Sequence, residues 1–371
     1  MNNMQIIKND NFFMNLAINV ARRNKGMTGA NPSVGCVIVS RDKTIISIAN
    51  TGIGGSPHAE KKALEGIEIK TGTVLYTTLE PCVHKGKNPP CVDEIINSGV
   101  KKVVIACLDK NPLVRGKGIK KLENSGIKVI KGILEKDAED FYDEFFKRIN
   151  SNIPGINIKI ASSADGKTAL KNGKSKWITN KLSRNYGHKL RLFNDGIMVG
   201  INTVLKDNPS LTCRLSGLNK FSPSRLVMDT NLRFPINCNL AKTAKNIETI
   251  IFTSKNSSVR KINLLKNKGI EIIKIPTTKS GLSLISALKF LGKREFNSIL
   301  IEGGNKLIAS AINSPQLNKV YWFSSEKIIG EEGKPSIGKL NITNLENSPN
   351  LFLHNMINLD NNYLKIYKAK N

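Results

Sequence analysis

The sequence predicts a layered α/β fold in two domains, and three observations carry that prediction. At 371 residues the chain is longer than one typical domain. Short apolar runs of strand length alternate with segments of helical periodicity through both halves. Between the halves, Ser151-Asn152-Ile153-Pro154-Gly155 places turn residues directly after a Phe-rich helical segment, as a linker does. The division expected is 1–150 and 151–371.

In the first half, Asp10 to Arg23 carries Phe13, Leu16, Ala17, Val20 and Ala21 at helical spacing. Residues 34–39 form a short apolar run between breakers, which reads as a buried strand, with 44–49 as its hairpin partner. A Gly-rich turn at 52–55 leads to a helix over 58–65 whose first turn holds His58 and Glu60. Residues 73–79 read as the next strand. Cys91 opens a helix closed by Gly99, strands follow at 103–107 and 127–130, and a helix over 134–148 carries Phe141, Phe145 and Phe146.

In the second half, 156–161 alternates as a strand does. A helix begins after Thr179 or Asn180 as N-cap, with Leu182, Tyr186, Leu190 and Phe193 along its apolar face. A strand at 196–200 precedes Asn202 to Pro209, whose polar residues and proline read as a binding loop. Strands are expected at 225–229, 249–253, 271–275 and 298–301, with a Gly303-Gly304 turn into another helix and closing strands at 320–323, 351–354 and 363–367. A glycine pair at such a turn either lets backbone amides approach a phosphate or is an ordinary connection.

The formal net charge is +28, but the lysines are spread along the whole chain and no basic block interleaves with aromatics. That distribution points to an anionic small molecule and not to nucleic acid. No run of about 18 apolar residues occurs, so no membrane span is expected. The first residues lack an apolar signal core, which predicts a cytoplasmic protein. Of six cysteines, Cys36 and Cys107 lie in apolar strand runs and Cys213 and Cys238 in no motif; only Cys82 and Cys91 have a ligand-like context.

That context is the centre of the chemistry. His58, Cys82 and Cys91 offer one imidazole and two thiolates, three protein ligands that leave a fourth position open, as in a catalytic zinc site. Water held at such a position ionises near neutral pH. His58 and Cys91 stand at helix starts, whose positive ends favour anionic ligands. Glu60 lies two residues past His58, placed to relay protons without binding metal.

His-Ala-Glu followed by Pro-Cys resembles the signature of the zinc deaminases, although eight residues separate Cys82 from Cys91. Cys-Val-His-Lys-Gly-Lys-Asn-Pro-Pro-Cys over 82–91, Asn31-Pro32-Ser33-Val34-Gly35, and Asp109, Pro112, Val114 and Gly116-Lys117-Gly118 are similar to the deaminase half of the bifunctional riboflavin-biosynthesis deaminase/reductase family. Ala30 and Asn88 stand where that family usually has Pro and Thr. The resemblance implies a cytidine-deaminase-like three-layer domain, with Asn31, His84 and Lys117 lining the pyrimidine and phosphoribosyl pocket; His84 either does this or holds the shape of its loop.

Lys159 to Ala169, Ser175 to Thr179, His188 to Arg191, Asp195 to Arg214 and Ile301 to Gly304 resemble the reductase half of the same family. The resemblance implies a dihydrofolate-reductase-like domain. Ala161, Trp177, Thr203, Asp207, Thr230 and the turn Gly304, Asn305, Lys306, Leu307, Ile308, Ala309 and Ser310 would hold NADPH. Ser175, Arg191, Leu211, Arg214 and Glu302 would hold the substrate, with Lys159 in the active site. Arg191 and Arg214 can supply two fork-shaped cations for a phosphate; Trp177 either stacks on a ring or anchors its helix.

The function expected is therefore zinc-dependent deamination of 2,5-diamino-6-(5-phosphoribosylamino)pyrimidin-4(3H)-one, followed by NADPH-dependent reduction of the ribosyl to the ribityl chain. Phosphorylated pyrimidines are the expected partners and a homo-oligomer the expected assembly. The rival is a nucleic-acid-acting deaminase with a non-catalytic C-terminal interaction domain. It predicts Pro-Cys-x-x-Cys spacing and a basic aromatic strip, and the chain has neither.

Overall fold

The computed structural model describes residues 9–84, 89–279 and 281–369. It divides into two compact units, Met1–Ser151 and Asn152–Asn371.

The first unit runs α1 (Asp10–Ala21), β1 (Gly35–Val39), β2 (Ile45–Asn50), α2 (Ala59–Leu64), β3 (Val74–Leu79), α3 (Cys91–Ser98), β4 (Lys102–Cys107), α4 (Lys117–Asn124), β5 (Lys128–Lys131) and α5 (Glu135–Ser151). Its sheet has the order β2-β1-β3-β4-β5. β1 is antiparallel to β2 and β3, whereas β3, β4 and β5 are parallel. β1 is buried along its whole length, and β3 and β4 are buried beyond their first residue. Both faces are therefore covered, and helices form the outer layers. α5 is pinned to the sheet by the Tyr142 hydroxyl, 2.6 Å from Thr78 Oγ1 and donating to the Ser33 carbonyl at 3.2 Å.

The second unit contains β6 (Gly155–Ser162), β7 (Lys167–Ala169), α6 (Lys181–Leu192), β8 (Gly196–Gly200), α7 (Ile201–Asp207), β9 (Ser224–Met228), α8 (Asn239–Lys242), β10 (Thr249–Thr253), α9 (Val259–Lys266) and β11 (Glu271–Lys274). After the short β12 (Thr277–Thr278) and β13 (Gly281–Leu282) come α10 (Leu284–Lys293), β14 (Ser298–Gly303), α11 (Asn305–Ile312), β15 (Leu317–Ser325), β16 (Lys334–Pro335), β17 (Leu351–Asn358) and β18 (Asn362–Ala369). The main sheet has nine strands in the order β11-β10-β9-β8-β14-β6-β15-β18-β17. From β11 to β15 all neighbours are parallel, and β18 and β17 close the sheet antiparallel. The order reverses where β14 enters between β8 and β6. Ligands bind open α/β sheets at such a point, outside the carboxyl ends of the strands.

Three expectations are corrected. The polar stretch read as a loop is mostly helix, α7. Its cap residue Asn208 has φ 39°, and Pro209 follows where a helix has already stopped. Leu182 is 51% exposed and lies off the buried face of α6, which uses Ser183, Gly187 and Leu190. Helix α4 was not expected at all. The remaining strands and helices fall within a few residues of expectation, and Asn180 is the N-cap of α6, accepting from Ser183 N.

Candidate active sites

β3 and β4 are parallel, so their carboxyl ends share one edge, and the segments leaving that edge carry Cys82 and Asp109. His58 is the N-cap of α2 and Cys91 the first residue of α3. The ligand atoms of His58, Cys82 and Cys91 lie within 4.8 Å of one another. His58 Nδ1 is 3.1 Å from Cys91 Sγ and 3.6 Å from Cys82 Sγ. Zinc bonds of about 2.0–2.3 Å in tetrahedral geometry set donor separations of roughly 3.5 Å, so this donor set fits zinc. Hydrogen bonding from Cys91, against the cost of burial, pushes the Cys82 thiol down, with His58 adding to the effect; the same bond and burial push Cys91 up.

Glu60 stands beside this group but outside it. It is 3% exposed and accepts a bond of 3.1 Å from Thr77 Oγ1. Burial holds its carboxyl above the ordinary range, as suits a group that both takes and gives a proton. Asn31 is braced on the turn before His58, its Nδ2 donating to Gly55 O at 3.1 Å. His84 is exposed. Lys117 opens α4, with Nζ donating to Pro112 O at 3.0 Å. Asn88 lies outside the described residues.

In the second unit, Arg191 on α6 grips Glu302 on β14: Nε and Nη2 each donate to one carboxylate oxygen at 2.7 Å, and Nη1 donates to Thr212 O at 2.9 Å. The fork expected to hold a phosphate is thus spent on Glu302, which leaves Arg191 two N–H groups for a substrate. Burial alone would raise the Glu302 carboxyl, but Arg191, then Lys159 and His188, outweigh it and bring it to about 2. Burial pushes the Lys159 ammonium down, with Glu302 opposing. Arg214 is exposed; its Nε donates to His188 Nε2 at 3.3 Å. Burial first, then Arg191 and Arg214, press His188 down to about 4. Leu211 is buried in the core with φ 54°.

Of the expected cofactor residues, Ala161 lies near the end of β6, Thr203 in the first turn of α7 after β8, Thr230 after β9 and Gly304 after β14, whereas Asp207 is at the far end of α7 and Trp177 lies between β7 and α6. The turns after β8 and β14 abut, since a Cβ on Gly303 would lie 2.9 Å from Thr203 Oγ1. Gly304 has φ 85° and ψ 100°, a conformation suited to glycine. Asn305 to Ser310, expected as part of a turn, are instead the first turns of α11, and Leu307, Ile308 and Ala309 are buried there. Ser310 Oγ is turned back on Lys306 O at 3.1 Å. Trp177 is 61% exposed with Arg184 4.2 Å from its ring centroid, and so does not anchor a core. Ser175 is also exposed. A pocket of about 660 Å3 opens beside Thr230 at the ends of β9 to β11, lined also by Ser254, Lys255, Ser257 and Thr277. Sequence reading assigned no role to Glu80 and none to His188 by itself. The available signals were an acidic residue directly before Pro-Cys and a histidine one helical turn from polar neighbours.

Residues 7–107 match the family model for the cytidine and deoxycytidylate deaminase zinc-binding region, and residues 154–365 match that for the RibD C-terminal domain. Fold and sites define a bifunctional enzyme, a zinc-binding deaminase followed by a reductase that uses a nicotinamide cofactor. The chain is 40% identical to the riboflavin biosynthesis protein RibD of Aquifex aeolicus, over 91% of this chain and 92% of the relative. It is 32% identical to RibD of Escherichia coli over 88% and 90%. Among solved structures, it is similar to RibD of Acinetobacter baumannii (TM-score 0.86, 30% identity, 98% of this chain and 99% of that one). It is also similar to a diaminohydroxyphosphoribosylaminopyrimidine deaminase/5-amino-6-(5-phosphoribosylamino)uracil reductase from Thermotoga maritima (TM-score 0.82, 33% identity, 97% and 98%). The chain belongs to the RibD family and is a deaminase and reductase of riboflavin biosynthesis.

Proposed function

We propose that the first unit hydrolytically removes the exocyclic amino group of 2,5-diamino-6-(5-phosphoribosylamino)pyrimidin-4(3H)-one, and that the second unit then reduces the ribosyl to the ribityl chain with NADPH. The observation that carries this reading is the convergence of His58, Cys82 and Cys91 with Glu60 close by but outside the ligand set. Zinc, when bound, supplies Lewis acidity toward water. Glu60 carries two protons in turn: one from the attacking water to the ring nitrogen, and a second from the hydroxyl so added to the ring carbon to the amino group, which leaves as ammonia. Asn31, His84 and Lys117 orient the pyrimidine and its phosphoribosyl arm.

In the second unit, Glu302 and Arg191 form the floor on which the sugar lies, and Lys159 beside them can hold or give a proton. Arg214, held by its Nε, presents its other donors to the phosphate. Ser175 and the Leu211 backbone complete that side. Ala161, Trp177, Thr203, Asp207, Thr230 and the backbone from Gly304 hold NADPH, and the pocket beside Thr230 suits its far end, with Lys255 as a cation. The partners are these phosphorylated pyrimidines and not nucleic acid. Six free cysteines suit the reducing cytoplasm. A homo-oligomer is supported by the outermost strand β17, which exposes Phe352, Leu353 and Met356. No helix among the described residues is long and apolar enough to cross a membrane.

The test is to incubate the purified, zinc-loaded protein with the diaminopyrimidinone phosphate and NADPH while following ammonia and cofactor absorbance together. Ammonia release followed by NADPH oxidation is expected, with Glu60→Ala abolishing both and the deaminated intermediate restoring the second. Ammonia without oxidation would remove the reductase half of the proposal; no ammonia would remove its centre.

A further inference from the structure

Glu80 lies just past the end of β3, two residues before Cys82. It is 3% exposed. Among the described residues its partners are not cations but four backbone amides. Oε2 accepts from Asp109 N at 3.3 Å and Gly116 N at 3.0 Å; Oε1 accepts from Gly118 N at 2.9 Å and Ile119 N at 3.3 Å. Three of these amides belong to the start of α4. Its N-cap, Gly116, has φ 74° and no side chain to do the capping. The first amides of a helix lack internal partners and favour a negative charge. Here the charge comes from another segment of the chain.

The attachment is tight. Glu80 N donates to Cys107 O at 3.0 Å. A Cβ on Gly118 would lie 2.4 Å from the carbonyl oxygen of Pro81, the residue before Cys82. The loop 109–118 is therefore drawn against the two residues that lead into a zinc ligand. Asp109, at its other end, is buried and close enough to His84 and Cys82 for their charges to act on it.

We propose that Glu80 is a positioning residue for deamination: by tying loop 109–118 to the strand end that carries Cys82, it fixes the distance between the metal centre and the groups that hold the substrate's phosphoribosyl arm. This rests on the reading of the first unit as the deaminase and of Lys117 as a substrate contact. A carboxylate is needed because all four partners are donors. A glutamine would turn its own N–H groups on two of them and leave buried amides unpaired.

The test is steady-state deamination by full-length, zinc-loaded protein carrying Glu80→Gln, Glu80→Asp, Gly118→Ala, Lys117→Ala, or Glu80→Gln with Lys117→Ala. Zinc content and reduction of the supplied deaminated intermediate are measured in parallel. Glu80→Gln should raise the deaminase KM about tenfold or more while kcat stays within about threefold, with zinc and reductase rate unchanged. Glu80→Asp should fall between, and Gly118→Ala, whose Cβ would lie 2.4 Å from Pro81 O and 3.1 Å from Glu80 Oε1, parts the same two segments while keeping the carboxylate and should reproduce the KM rise. Added to Lys117→Ala, Glu80→Gln should raise KM less than about twofold, because both act through one loop. An unchanged KM in Glu80→Gln and Gly118→Ala, or a loss of zinc and kcat without the KM effect, would overturn the proposal. A wild-type protein that releases no ammonia would instead overturn the functional reading beneath it.

Discussion

Arg191 and Glu302 stand 111 residues apart in the chain and meet through two parallel bonds of 2.7 Å. The pair joins α6 to β14 and leaves Lys159 and His188 close enough for their charges to act on the carboxylate. Such a bidentate grip sets geometry as well as charge.

The folded carboxyl of Glu302 lies at about 2 against an ordinary 4.5. A depressed carboxyl stabilises the fold above its unfolded pKa, and the effect is lost as pH falls through the folded one. The stability difference between wild type and Glu302→Gln should therefore shrink by on the order of 3 kcal/mol between about pH 6 and pH 2. Urea unfolding of both proteins at several pH values measures it. The variant should also lose reductase activity and keep deamination.

Glu60→Gln should bind zinc as wild type does and lose about 10²- to 10⁴-fold in deaminase kcat, since it removes a proton relay and no ligand. His58→Ala should lose the metal as well. Metal analysis beside ammonia release separates the two, and both variants should reduce the supplied intermediate at the wild-type rate.

Trp177 offers an exposed ring already faced by Arg184. Trp177→Ala should raise the KM for NADPH roughly three- to tenfold, the worth of one aromatic contact, with kcat little changed. Trp177→Phe should recover most of it. Quenching of tryptophan fluorescence by the cofactor should weaken in both.

Arg214→Lys should raise the reductase KM for the phosphorylated intermediate about tenfold, because an ammonium cannot reproduce a fork held at Nε by His188. His188 is neutral above about 4. As pH falls through that value, protonation removes the acceptor and sets two cations side by side. The wild-type KM should rise over that range, and that of His188→Ala should not.

The zinc site was legible because its signals are local: ligand types, spacing, and helix starts at His58 and Cys91 that the fold reproduces. Helix α4 was not legible for the converse reason. Its first residues are Lys117 and Gly118, its cap is a bare Gly116, and the carboxylate that completes it comes from Glu80. Nothing nearby in the sequence announces a start. The polar stretch before Pro209 misled in the same way, since Asn202, Thr203 and Asp207 are weak helix formers that α7 holds by burying Ile201 and Val204. Arg191 and Glu302 could each be singled out, but not that they hold each other, because that contact depends on the strand order.

That strand order also imposes a timetable. Every proposed deaminase residue belongs to the part of the chain that leaves the ribosome first, and the unit that holds them ends at Ser151. The sheet of the second unit cannot close until β14 slots between β6 and β8, and β14 is made after β8, β9, β10 and β11. Domains generally fold as units, N-terminal first, during synthesis. A growing chain therefore assembles its deaminase centre well before any reductase site exists. A message cut short before β14 would yield a protein that makes the deaminated intermediate and leaves it unreduced.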